Sequence, residues 1–182
     1  MKTLHLKINL ITVLFITLMV TSCDTLDDFT KFDITYNESI TIPATIPIDI
    51  PFVINTPEIE TNSESTFSVN DTSKDLIEDI KLTEFKLTLT NPSDEDFSFV
   101  ETIEIYIAAE GLEDTKLAWN TTPIENGTNV MYLKTSDEDL KAYIFEDSFY
   151  LKIETGTDEI LTQDYDIDIK TVFAVDAKIL GI

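Results

Sequence analysis

Between residues 39 and 55 apolar and polar positions alternate. Ile40, Ile42, Ala44, Ile46, Ile48, Ile50 and Phe52 take the even positions, and Thr41, Pro43, Thr45, Pro47, Asp49 and Pro51 the odd ones. A period of two is that of a strand with one buried face. Same-parity residues of an antiparallel strand point their main-chain groups at the same edge, so Pro43, Pro47 and Pro51 would strip donors from one side only. The stretch from Ser39 to Asn55 is therefore expected to form one or two edge segments, blunted against pairing with another chain. A polyproline-like connector is the alternative. The alternation already begins in the segment from Phe29 to Asn37.

Further on, Asn70-Asp71-Thr72 with Asp75 three residues after Thr72 reads as a capped helix start, one or two turns long, with Leu76, Ile77 and Ile80 on its apolar side. Ile80 and Leu82 share one parity, and Phe85, Leu87 and Leu89 the other. A single strand keeps all five inward only if it carries a bulge near Thr83 and Glu84. Asn91-Pro92 ends that strand, and Asp94 to Asp96 form a polar turn. Phe99, Ile103, Ile105 and Ile107 mark the next strand, closed by Gly111. Lys116 to Asn120 and Val130 to Leu133 are two shorter ones, with a hairpin-like reversal expected around Pro123 and Asn126-Gly127.

Ser136 with Asp139 suggests a second capped helix, running through Leu140, Tyr143 and Ile144 to Glu146. Phe149, Leu151 and Ile153 form a strand, with a turn at Thr155-Gly156-Thr157-Asp158. The last strand is expected to be the longest, with Tyr165, Ile167, Ile169, Phe173 and Val175 inward and Asp164, Asp166, Asp168 and Lys170 outward. The sum is about eight short strands with one or two connector helices. Residues 31–182 thus read as a single all-β domain, an immunoglobulin-like or fibronectin-III-like antiparallel sandwich rather than a barrel.

The N-terminus follows another pattern. Lys2 and Lys7 precede an uncharged apolar core from Ile8 to Val20, and Val20-Thr21-Ser22-Cys23 ends it with the chain's one cysteine. The core falls short of the roughly 20 residues of a comfortable membrane span. It therefore reads as a cleaved export signal, residues 1–22. The alternative, a disulfide half or an ordinary buried thiol, loses its first form because no second cysteine exists. Val20-Thr21-Ser22-Cys23 resembles the lipobox of bacterial lipoprotein precursors. That resemblance implies a diacylglyceryl group on the Cys23 thiol, cleavage before it and an acyl chain on the new amino terminus, which together would hold the protein on a bilayer.

Asp24, Asp27 and Asp28 make residues 23–30 an acidic tether. Acidic residues just after the acylated cysteine resemble the surface-export signals of Bacteroidota-type lipoproteins, which implies the outer membrane and its exposed face. Aspartate at this place in proteobacterial lipoproteins implies the inner membrane instead, and a plain solvated tether is the third reading. Asp24-Thr25-Leu26 matches the O-glycosylation pattern of the same bacteria, which would modify Thr25. The sequons at Asn37, Asn70, Asn120 and Asn126 carry little meaning on a bacterial lipoprotein. Residues Ile80 to Ile179, with Leu87-Thr88-Leu89-Thr90-Asn91-Pro92, are similar to the group 2 late-embryogenesis-abundant type of fibronectin-III-like sandwich, which bears on fold alone.

The formal charge is −23 over 182 residues, with no arginine; loss of residues 1–22 removes two lysines and no acid. Such a chain repels nucleic acid and anionic head groups, and it lacks the bidentate guanidinium that phosphate sites favour. The one histidine, His5, would leave with the signal, and the resemblance implies that the one cysteine is acylated. Serine–histidine and cysteine–histidine catalysis and the usual zinc sites are thereby excluded from the mature chain. A glycosidase needs only two carboxylates, so a small carboxylate hydrolase remains as the enzymatic alternative.

Calcium is the one free ion to weigh, and it needs six to eight oxygens. Asp164, Asp166 and Asp168 share one strand face, but alternate residues lie nearly 7 Å apart, so the three cannot all meet one ion. A solvated outer face is expected there. Asp94, Glu95 and Asp96 on a turn are the better placed candidates, since loop carbonyls would add ligands. Beyond the lipid no cofactor is expected. Trp119, the single tryptophan, is expected as the core residue between the sheets; an exposed Trp119, with outward Tyr106 and Tyr132, would favour sugar stacking. These readings converge on a noncatalytic accessory module whose partners are the membrane, through its lipid, and another envelope protein or a glycan.

Overall fold

The structure is a computed structural model that describes residues 30–44, 51–122, 124, 127–157 and 160–178. Val20, Thr21, Ser22, Cys23, Thr25 and the acidic tether lie outside the described residues. Among the described residues ten strands form two antiparallel sheets, and two short helices and two 3-10 turns connect them. This is the expected all-β sandwich. The excess over eight strands is accounted for by two of only two residues each, β3 (Ile59–Glu60) and β8 (Lys134–Thr135).

The first sheet runs in the order β1 (Lys31–Ile42), β10 (Tyr165–Ala177), β4 (Ile77–Asn91), β7 (Val130–Tyr132). β1 and β10 pair from Lys31–Asp176 to Ile42–Tyr165 without a register break, and even-numbered residues of β1 face the core. In β4 the pairing steps from Phe173–Leu82 to Val172–Glu84, leaving Thr83 unpaired. That is the expected bulge. Ile80, Leu82, Phe85, Leu87 and Leu89 are all buried despite their mixed parity, and the Thr83 hydroxyl donates to the Val172 carbonyl at 3.1 Å. β4, at 15 residues, is longer than β10 at 13, reversing the expected ranking because the bulge lets one strand span two parity runs.

The second sheet runs β2 (Phe52–Asn55), β9 (Ser148–Thr157), β5 (Val100–Ala108), β6 (Thr115–Asn120), β8, and β3 continues along the β9 edge beyond β2. Between β2 and β3, Pro57 has no N–H to offer. Thr56 carries the ladder instead. Its N–H donates to the Leu151 carbonyl and its hydroxyl accepts from the Leu151 N–H, each at 2.9 Å. β1 and β2 are both edge strands, as the alternation implied. The prolines do not blunt β1, however: Pro43 follows the strand, Pro51 precedes β2, and Pro47 lies outside the described residues.

One expected helix start is a helix stop. α1 (Ser63–Val69) precedes Asn70-Asp71-Thr72. Asp71 takes φ +55°, and the Thr72 N–H returns to the Phe67 carbonyl, so these residues end a helix. Aspartate and asparagine tolerate the left-handed region that a helix end requires. Leu76 closes a single 3-10 turn (Lys74–Leu76), and Ile77 and Ile80 belong to β4. The second helix is also shorter than expected, α2 spanning Lys141–Ile144. Asp139 rather than Ser136 fixes it, accepting from the Lys141 and Ile80 N–H groups at 3.1 and 3.2 Å.

Two expected reversals do not take the expected form among the described residues; Pro123, Asn126 and Asp158 lie outside them. β6 and β7 lie in different sheets, because the far edge of β6 is taken by β8 while β7 pairs with β4. Thr155, Gly156 and Thr157 are buried residues of β9 rather than a turn. The final crossing from β9 to β10 also changes sheets, and β10 slots between β1 and β4.

Edge-to-face aromatics fill the layer between the sheets. Tyr36 lies 5.2 Å from Phe149 and 5.7 Å from Phe173, while Phe99 lies 4.7 Å from Tyr165. Each such pair adds about 0.5–1.5 kcal/mol beyond the area it buries. The Tyr36 hydroxyl leaves the core to donate to the Thr61 carbonyl at 3.0 Å, and burial pushes its pKa up.

Candidate functional site

The outer face of the second sheet carries a polar network of described residues. Tyr106 stands at its centre on β5, with Lys152 of β9 on one side and Lys116 of β6 on the other. The two ammonium groups lie 5.5 and 5.8 Å from the Tyr106 ring centroid. Lys116 pairs with Glu104 at 2.7 Å, and Tyr106 donates its hydroxyl to the same carboxylate at 2.8 Å. Lys152 pairs with Glu154 at 2.9 Å and with Asp114 at 3.4 Å.

The Lys116 contact, then that of Tyr106, holds the Glu104 carboxyl below its usual range. The Tyr106 phenol is raised by its bond to Glu104, Lys116 by Glu104, and Lys152 by Glu154 and Asp114. Every charge here has its opposite, and both sides of the Tyr106 ring are flanked by a cation. The cluster thus holds itself together. The carboxylates with shifted pKa values among the described residues, Asp96, Glu104 and Asp139, all shift downward.

Trp119 is not in the core. Pairing steps from Ile105–Ala118 to Tyr106–Lys116, so Leu117 is an extra residue in β6. Leu117 and Ala118 are both fully buried, and the parity change turns Trp119 outward, half-buried, opposite Glu104 and Lys134. Tyr106 and Tyr132 also face outward, Tyr132 being 64% exposed on β7. They do not form one platform with Trp119, since β7 belongs to the other sheet.

The three alternating aspartates serve β1. Asp166 accepts from the Thr41 hydroxyl and Asp168 from the Ser39 hydroxyl, both at 2.7 Å and both directly across the ladder, and Asp164 accepts from the Ala44 N–H at 3.0 Å. Asp94 and Glu95 are exposed. Asp96 turns back to accept from the Ser98 N–H at 2.8 Å and the Gly127 N–H at 2.6 Å, fastening two loops. Those bonds, first the one to Ser98, lower its pKa. Among the described residues no group of three or more acidic, histidine or cysteine side chains is placed to hold an ion.

A shallow groove of about 560 Å³ lies between β3, the start of α1 and Lys74, lined by Glu58, Glu60, Glu64 and Asp147 among others. No helix of the described residues is long and apolar enough to cross a membrane. No protein-family model matches the chain, and no curated protein matches it either. Glu104 and Lys152 carry no local signal: Lys152 reaches the Tyr106 ring only because β9 pairs beside β5, and Glu104 reaches Lys116 only because β6 pairs on the other side of β5. Glu38, the one acidic residue at a core-facing position of β1, stands out only once the strand is placed at the sheet edge.

Proposed function

We propose that this protein is an exported bacterial lipoprotein, acylated at Cys23 and held at the outer membrane with its sandwich facing outward, where it serves as a noncatalytic interaction or accessory module of the envelope. The observation that carries this reading is Val20-Thr21-Ser22-Cys23 at the end of a short apolar segment, with β1 beginning at Lys31, a few residues after the acylation point. The shifted carboxylates are all lowered, and the polar clusters join strand to strand or loop to loop, which supports a binding role over a catalytic one. Globomycin treatment of the producing cells should make a precursor accumulate that retains residues 1–22, and protease shaving of intact cells should degrade the processed form. Release of a soluble protein with a free thiol would end the proposal.

The outward position of Trp119 favours a second reading, a carbohydrate-binding surface lipoprotein. Tyr106 contributes little to it, since lysines flank both sides of its ring. Quenching or a blue shift of Trp119 fluorescence on addition of an oligosaccharide panel would support this reading, and an unchanged spectrum across the panel would remove it.

A further inference from the structure

A sheet edge exposes a row of main-chain donors and acceptors, and proteins commonly shield it. Of the four edges formed by the described strands, three are short or broken. β7 has three residues, β8 two, and the β2–β3 edge is interrupted at Pro57, which has no N–H. β1 is different. Its 12 residues pair with β10 without a bulge, contain no proline, and meet no strand among the described residues on the other side.

One residue breaks the pattern of that edge. Core-facing positions along β1 read Phe32, Ile34, Tyr36, Glu38, Ile40 and Ile42. Glu38 stands half-buried in register with Ile169, and it has neither hydrogen bond nor ion pair among the described residues. An inward charge on an edge guards against indiscriminate pairing. It does so selectively, because its desolvation is offset when the incoming strand brings an opposite charge to that position.

The β1 strand of a second copy cannot do so. In any antiparallel β1–β1 register that keeps core faces together, Glu38 would meet an aromatic residue, an isoleucine or another Glu38, since no core-facing residue of β1 is cationic. The net charge of −23 opposes self-association as well.

We propose that the edge of β1 away from β10 accepts an extended segment of a partner protein that carries a lysine or arginine opposite Glu38, with apolar residues two positions to either side. Main-chain bonds supply the affinity and the single cation supplies the selection. This gives the interaction module its surface and its partner's chemistry, and it rests on that reading. The binding itself does not need the lipid, so an unacylated Cys23 would overturn the anchor and leave this proposal standing.

The test uses the full chain and three labelled peptides, with fluorescence anisotropy as the readout. The first is Val-Thr-Ile-Thr-Lys-Thr-Ile-Thr-Val. The second exchanges the lysine with the threonine before it, which moves the charge to the outer face at constant composition, and the third replaces lysine by glutamate. The first peptide should bind at least tenfold more tightly than the others and protect β1 amides from hydrogen exchange. Glu38→Lys should reverse the preference between the first and third peptides, with its unchanged melting temperature reporting an intact fold. Equal binding of the first and second peptides would reveal mere attraction to an acidic protein. Binding of none would make Glu38 a guard only. A sedimenting dimer with protected β1 amides would assign the edge to a second copy. Each of these three results overturns the proposal.

Discussion

Deleting a single residue from β4 should be tolerated at one position and ruinous three residues later. Thr83 is the extra residue of the bulge: Leu82 and Glu84 already face Phe173 and Val172, which are neighbours on β10. Removing Thr83 closes the ladder and leaves every core residue on its face. The loss is the hydroxyl bond to the Val172 carbonyl, 3.1 Å long, which is worth about 1 kcal/mol. Removing Lys86 takes a residue from the regular part of the strand, and the two sides can no longer both face inward. The milder outcome turns Leu87 and Leu89, each 2% exposed, to the outer face. At about 1.5–3 kcal/mol per side chain that costs about 3–6 kcal/mol. This is a large part of the roughly 5–15 kcal/mol that holds a domain together. Urea unfolding followed by far-ultraviolet circular dichroism compares the two. A small fall in midpoint is expected for the Thr83 deletion, and a collapse or near-collapse of the transition for the Lys86 deletion. If both deletions cost the same, the bulge is not what buries the two parity sets together, and the reasoning fails.

Trp119→Ala should lower stability by about 1 kcal/mol, as for a partly exposed side chain, whereas Phe173→Ala, at 0% exposure, should cost about 3–5 kcal/mol. Comparable losses in chemical denaturation would return Trp119 to the core. Asp96 has a lowered pKa in the folded chain, so the unfolded chain binds more protons as pH falls from its ordinary value of 3.8, and the stability Asp96 contributes is lost on acidification. The melting temperature of Asp96→Asn should therefore lie below that of the natural chain at pH 7 and converge with it toward pH 2; a gap that persists in acid would show that charge is not involved. Calcium and EDTA should leave the melting temperature unchanged, since Asp164, Asp166 and Asp168 are each engaged with β1 or with Ala44 just beyond it. A calcium-dependent rise abolished by Asp94→Asn would place an ion at that turn instead.

What was legible along the chain was whatever a two-residue period carries. The bulge at Thr83 could be deduced because five large apolar residues had to share one side, and edge roles for both flanks of the proline segment followed from the same counting. The bulge at Leu117 left no such trace. Leu117 and Ala118 are followed by Trp119, and any of the three is acceptable in a core, so only pairing with β5 decides which one turns outward. The sequence is ambiguous at Asn70 and Asp71 because short polar side chains cap a helix start and also adopt the left-handed turn that stops one. The Tyr106 cluster was out of reach for a different reason. Its carboxylates and lysines come from β5, β6, β9 and the segment before β6, and strand order is a long-range property that local pattern does not encode.

The lipid at Cys23 is the claim on which the functional account rests most heavily. Intact-mass and peptide mass spectrometry of the protein extracted from its own membranes test it most directly. The account predicts a chain beginning at Cys23, heavier than its residues by a diacylglyceryl group and an N-linked acyl chain. An unacylated Cys23, or an amino terminus elsewhere in the chain, would contradict it.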